Sequence, residues 1–196
     1  MVVIAVGIDN GVSGGVGIIT PDKYNLFKMP VFEDLNYQKS EDKYIHRIDV
    51  FELVNQLKTL MDKYPSEDIK VMIERPMINP HMFMASVSSA RSLEAVLIAL
   101  SFSRNEQFPN GLPKHYIDSK AWQTVLLPNI SKPKIGKEVE AKERAKLNKE
   151  HTKRLKEAAF FRVKQMFPNV IDKIKTNADA DSMLIAEYCR IYYNNQ

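Results

Sequence analysis

Residues 2–20, VVIAVGIDNGVSGGVGIIT, leave the chain little choice of fold. Val2, Val3, Ile4, Ala5, Val6 and Ile8 make an apolar run of strand length, too rich in β-branched residues for a helix, and read as a buried strand. Asp9 ends it. Asn10-Gly11 and Gly14-Gly15 are turn dipeptides, and Val16, Ile18 and Ile19 resume the strand pattern before Pro21 stops it. The segment is therefore a buried hairpin with a carboxylate at its bend. An ionised carboxylate is costly to desolvate unless a cation or strong donors meet it, so Asp9 is either a metal-site candidate or an acceptor for the turn amides.

Size bounds what such a hairpin can nucleate. With 196 residues, 44% hydrophobic and 27% charged, the chain suits one well-packed domain, 1–196, and is short for two. The single cysteine, Cys189, cannot form an internal disulfide, and Asp9 interrupts the opening apolar run, so that run does not read as a signal peptide. A reducing cytoplasm is the expected location. No stretch reaches the roughly 18 uninterrupted apolar residues of a membrane span, so no membrane partner is expected.

Beyond the hairpin, residues 24–31 suggest a third strand ended by Pro30, completing an antiparallel meander, and residues 33–43 are polar without a period and read as a loop. Asp49 and Glu52 stand at capping-box spacing before Val50, Phe51, Leu53, Val54, Leu57, Leu60 and Met61, which predicts an amphipathic helix over 50–63. Residues 69–73 form a short buried strand, and the next residue is Glu74. A second carboxylate thus ends a core strand. Arg75-Pro76 and Asn79-Pro80 make a rigid connector suited to a cleft rim, leading into the longest clean helical pattern, about 82–102. Met82, Phe83 and Met84 at its start suit a core, whereas an exposed Phe83 beside Glu74 suits a wedge between bases.

After a Pro- and Gly-containing loop, residues 115–117 give a strand, and Asp118 or Ser119 caps a short helix anchored in the core by Trp122. Residues 132–156 then carry ten Lys or Arg against four Glu, a local charge of +6 that leaves −2 for the rest of a chain whose net charge is +4. A basic segment on a slightly acidic body points to a polyanion, nucleic acid first, although a solvated lysine-rich helix face has the same composition. Within it, about 129–150 reads as a basic insertion, mobile or folding on a partner, before an apolar stripe returns at Leu155, Ala158, Ala159, Val163 and Met166. In the last helix Asp181, Leu184, Ile185 and Tyr188 lie at i, i+3, i+4 and i+7, which sets a carboxylate on the core-facing stripe and favours partnership with a cation or with other charged groups near Asp9 and Glu74. Asp179 can join it only if the helix begins at about that point.

GIDNGVSGGVGII ending a first strand, IERP ending a later one and NADADSMLIAEY opening a final helix together resemble the three acidic motifs of RuvC-type Holliday-junction resolvases, in particular their phage-encoded branch, within the RNase H-like superfamily. ERPMINP, SLEAVLIAL, AWQTVLL and HTKRLKEAAFFRVKQMFP are weaker echoes in the same order. The resemblance implies an α/β, RNase H-like fold: a mixed five-stranded sheet, three antiparallel strands then parallel ones, flanked by helices. It implies catalytic, metal-holding carboxylates at Asp9, Glu74 and Asp181. The family's usual fourth acid would fall at Asn177 or Ala178, which leaves Asp179 as the nearest replacement. Lys153 matches a lysine that could contact the scissile phosphate.

Two divalent ions about 4 Å apart can activate a water and stabilise a departing 3′ oxygen, and hard carboxylate ligands suit Mg²⁺ or Mn²⁺. His46, His81, His115 and His151 are scattered, so no zinc spacing is present. The expectation is a homodimeric endonuclease of branched DNA such as four-way junctions, in the cytoplasm, or that of a host if phage-encoded. Lys132, Lys134, Lys137, Lys142, Arg75 and Phe83 are its candidate DNA contacts. The alternatives are an RNase H-like nuclease for flaps or RNA-DNA hybrids, an ATP-binding domain of the actin and sugar-kinase type, and a nuclease-dead junction-binding protein.

Overall fold

The opening apolar run forms β1 (Val3–Asp9) and pairs antiparallel with β2 (Gly15–Ile19), Ala5 opposite Ile19 and Asp9 opposite Gly15. The structure, a computed structural model, describes residues 3–36, 43–76, 78–130 and 140–195. β3 (Tyr24–Lys28) adds to β2 and completes the expected meander. On the other side of β1 lie β6 (Asp68–Glu74) and then β7 (Lys114–Ile117), both parallel, so the sheet order is β3-β2-β1-β6-β7. This is the mixed five-stranded sheet that the resemblance implies.

Alternation along β1 sorts the helices into two layers. Ile4, Val6 and Ile8 face a core shared with Leu53 and Leu57 of α1 (Val50–Lys63) and Val96 and Leu100 of α2 (Phe83–Phe102). Ala5, with Met72 of β6, faces Trp122 of α3 (Ser119–Leu126), Val163 of α4 (Ala141–Met166) and Met183 and Leu184 of α5 (Asn177–Asn194). α1 starts where its capping pattern predicts, with Asp49 accepting from the Glu52 N–H at 3.0 Å. Phe51, counted with its apolar face, instead points outward at 85% exposure, because two residues before Leu53 is the opposite side of a helix. α2 is long and apolar enough to cross a membrane by length and composition alone, yet it carries Arg91 and Glu94, and its Val96, Ala99 and Leu100 are buried in the core.

Two expectations change. The polar stretch read as a loop over 33–43 contributes to a two-stranded antiparallel ribbon, β4 (Val31–Leu35) with β5 (Tyr44–Ile48), whose cross-strand ion pair joins Arg47 Nε to Asp34 Oδ2 at 2.8 Å. A ribbon outside the main sheet needs only its neighbour in sequence, so it leaves no buried apolar run to read; residues 37–42 lie outside the described residues. Similarly, α4 and not α2 is the longest helix among the described residues, 26 residues against 20, because residues 141–149 of the basic insertion are helical. Ala, Lys, Glu and Arg are strong helix formers, and the packed C-terminal half, where Ala159 and Val163 are buried, supplies the nucleus from which the exposed turns extend. Residues 131–139, with Lys132, Lys134 and Lys137, lie outside the described residues.

Candidate active site

Strand register brings the first two carboxylates together. Ile8 is opposite Ile73 in the parallel β1–β6 pair, so Asp9 and Glu74 end neighbouring strands on the same sheet edge. α5 brings the third. It crosses β1 and β2 over Gly7 and Gly17, which face each other in the register. A Cβ on Gly17 would lie 2.6 Å from the Ser182 carbonyl oxygen, and one on Gly7 would overlap the Ala186 nitrogen and the Ser182 oxygen. Only glycine lets the helix backbone sit directly on the strands. That approach seats Asp181, beside Ser182, within electrostatic reach of both other acids.

The three acids are partly buried, and burial is the largest cause that raises each of them. Burial first, then the charges of Glu74 and Asp179, push Asp9 up to about 7. Burial, then Asp9 and Glu74, push Asp181 up to about 7 against the opposing charge of Lys156. Glu74 is raised by burial, while hydrogen bonds from Ser119 and Trp122 act the other way. Ser119 Oγ donates to Glu74 Oε1, and the Trp122 indole Nε1–H donates to Oε2 at 3.3 Å. Both donors come from the first turn of α3, and neither role is apparent in the sequence, where Ser119 reads as a cap and Trp122 as a core anchor. Asp118, at the cap position, instead takes the Arg75 guanidinium, at 3.2 and 3.3 Å.

Asp179 is only 1% exposed and serves the helix start. Its Oδ2 accepts from the N–H groups of Lys175 (2.9 Å) and Thr176 (2.7 Å), while Thr176 Oγ1 accepts from the Asp179 N–H, a complete capping box. The helix thus begins two residues before Asp179, whose carboxylate faces the backbone of the helix start while its charge reaches Asp9.

Lys153 carries its ammonium 3.8 Å from Glu157 Oε1 and is largely exposed. The lysine whose charge acts on Asp181 is Lys156. A helical signal could have found it, since Lys149, Thr152 and Lys156 continue the stripe of buried Ala159 and Val163 at 3- and 4-residue spacing. Lys149, Thr152, Lys153, Lys156 and Glu157 line a cleft of about 480 Å³ with Asn177 of α5. Lys142 lies exposed in the first turn of α4. Met82, Phe83 and Met84 are all exposed, Phe83 at 69%, so they are not the core residues their composition allows.

Oxygen-only donors at one sheet edge fit a hard divalent cation, which would relieve the repulsion that raises Asp9 and Asp181. Asn10, beside Asp9, has both side-chain amide atoms buried without a hydrogen-bond partner among the described residues, a further polar group for such a site to satisfy. Among the described residues no three His, Cys, Asp or Glu side chains are gathered tightly enough to form a ready cage.

Sheet order, helix layers and acid placement together define an RNase H-like fold. No protein-family model matches the chain, nor does any curated protein. Among the solved structures that share the fold are T. thermophilus RuvC in complex with a Holliday junction substrate, 16% identical with a TM-score of 0.53, and a Thermus thermophilus RuvC structure, 16% identical with a TM-score of 0.50. Each match covers 100% of this chain and 96% of the RuvC chain. The fold is RuvC-like along its whole length.

Proposed function

We propose that the protein is a divalent-metal-dependent endonuclease that resolves branched DNA, four-way junctions first among its substrates. One observation carries the reading: Asp9, Glu74 and Asp181 converge from three separated segments on one edge of a RuvC-like sheet. Mg²⁺ or Mn²⁺, two ions per site, would be held by Asp9, Glu74 and Asp181 with Asp179 as the fourth acid, and when bound would supply an activated water and charge stabilisation at the departing oxygen.

The chain's own residues do the rest. Burial of Asp9 and Asp181 makes their ionised forms depend on a cation, which ties the charge state of the site to its occupancy. The cleft of Lys149, Thr152, Lys153 and Lys156 offers a positive path for the DNA backbone up to Asp181, and Lys142 extends it along α4. Lys132, Lys134 and Lys137 would continue that path. Exposed Phe83 and the Arg75–Asp118 pair, on the chain that leaves Glu74, would meet bases and backbone at the rim. A homodimer would match the two-fold symmetry of a junction with one site per cut strand. The reading carries with it a cytoplasmic location.

The test is incubation of purified protein with Mg²⁺ and synthetic four-way junction, flap, duplex and RNA-DNA hybrid. Paired nicks in the junction, absent for Asp9→Asn and Glu74→Gln variants that still fold and bind, are the expected outcome. An intact junction beside a cut hybrid or flap would move the protein to another substrate, and hydrolysis of ATP with no nucleic acid cut would overturn the nuclease reading.

A further inference from the structure

Glu74 differs from the other two acids in how its carboxylate is held. Asp9 and Asp181 are raised chiefly by burial and then by the charges of neighbouring acids, whereas each oxygen of Glu74 accepts a hydrogen bond from α3: Oε1 from the Ser119 hydroxyl, Oε2 from the Trp122 indole N–H. The arrangement follows from the register. Glu74 is opposite Ile117 in the parallel β6–β7 pair, α3 begins two residues later, and Ser119 and Trp122, three apart, share the helix face turned back toward β6. Trp122 is 2% exposed and packs with Met72, Met183 and Ala159 in the core, so its N–H has a fixed position. A carboxylate has about four acceptor sites, so two remain, and the two donors decide which way those two face.

We propose that Ser119 and Trp122 are positioning residues that clamp Glu74 for a divalent cation, and that Trp122 is thereby a built-in reporter of cation binding at the acidic site. The proposal rests on the nuclease reading given above. A loose glutamate among repelling acids would swing away from Asp9; two donors rooted in a rigid helix hold it on the sheet edge and favour its charged form. Ser119 is the adjustable half of the clamp, being small and only partly buried, and Trp122 the rigid half. Because Trp122 is the single tryptophan of the chain, the emission of the whole protein reports on one hydrogen bond to one proposed ligand.

The experiment is titration of the full-length protein with Mg²⁺, followed by tryptophan emission and, separately, by calorimetry, in the absence of DNA. Emission is expected to change with the same midpoint as the calorimetric binding curve in the parent, and to stay constant in Glu74→Gln. Ser119→Ala, checked for folding by circular dichroism, should raise the midpoint about 10-fold or more, the usual size of such an effect, and Ser119→Thr, which restores a hydroxyl, should recover most of it. Calorimetric Mg²⁺ binding and junction cleavage with unchanged emission, or with an unmoved midpoint in Ser119→Ala, would overturn the clamp while leaving the nuclease intact. Absence of both Mg²⁺ binding and cleavage would overturn the nuclease reading and the clamp with it.

Discussion

Asp9 and Asp181 are held up to about 7 by burial and by their like-charged neighbours, so each carboxyl favours its neutral form in the folded chain far more than in the unfolded one. The sign of the linkage follows. Stability from these two groups is fully present below their unfolded values, near 3.8, and is lost as pH rises through about 7. In EDTA, urea midpoints measured from pH 4 to 8 should therefore show the parent losing stability relative to Asp9→Asn, by an amount on the order of a few kcal/mol, and Mg²⁺ should return it at pH 7.5. A constant difference between parent and variant across that range would contradict the assignment. Buried acids here are a stability cost that a bound cation would offset.

The element that decides the site is α5, and its position depends on two glycines. Gly7 and Gly17 face each other across the hairpin, and no larger residue leaves room for the helix backbone around Ser182 and Ala186. Gly7→Ala should force α5 off the sheet, costing about 1 to 3 kcal/mol by overpacking. It should also lower junction cleavage by about 100-fold if Asp181 moves by about 1 Å. Thermal melts and single-turnover cleavage measure the two effects separately, and a variant with parental stability and rate would show that the helix does not rest on that strand position. Among the helices, α4 shows how an element can be half legible. Its C-terminal turns follow an apolar stripe, while residues 141–149 carry none and are helical by propensity and by continuity with the packed half.

At the scale of the molecule, one protomer places one acidic edge, one lysine cleft and one exposed Phe83 on the same fold. Cutting a four-way junction symmetrically takes two such sites, which a C2 dimer provides. Sedimentation equilibrium at micromolar concentration should give twice the 22.5 kDa of one chain. A monomer at that concentration, with or without junction DNA, that still makes paired cuts would contradict the dimer.

What the sequence determined by itself was the elements that carry their own apolar run, stripe or capping pattern along the chain. The β-branched apolar run before Asp9, the capping spacing of Asp49 and Glu52, and the 3- and 4-residue spacing that sets Asp181 on a buried stripe each report their own element, and they placed Asp9 and Glu74 at strand ends and Asp181 on a core-facing stripe. The β4–β5 ribbon escaped because it makes no buried run, and Met82–Met84 could not be assigned because an apolar triplet looks the same in a core and on a rim. What only the tertiary structure decided was which groups meet: that the Ser119 and Trp122 donors reach Glu74 across more than forty residues, that Lys156 and not Lys153 acts on Asp181, and that Asp179 spends an oxygen on the start of α5. Those contacts are fixed by strand register and helix packing, which close long loops; a helical stripe singles out Lys156, but no local pattern says which group it meets.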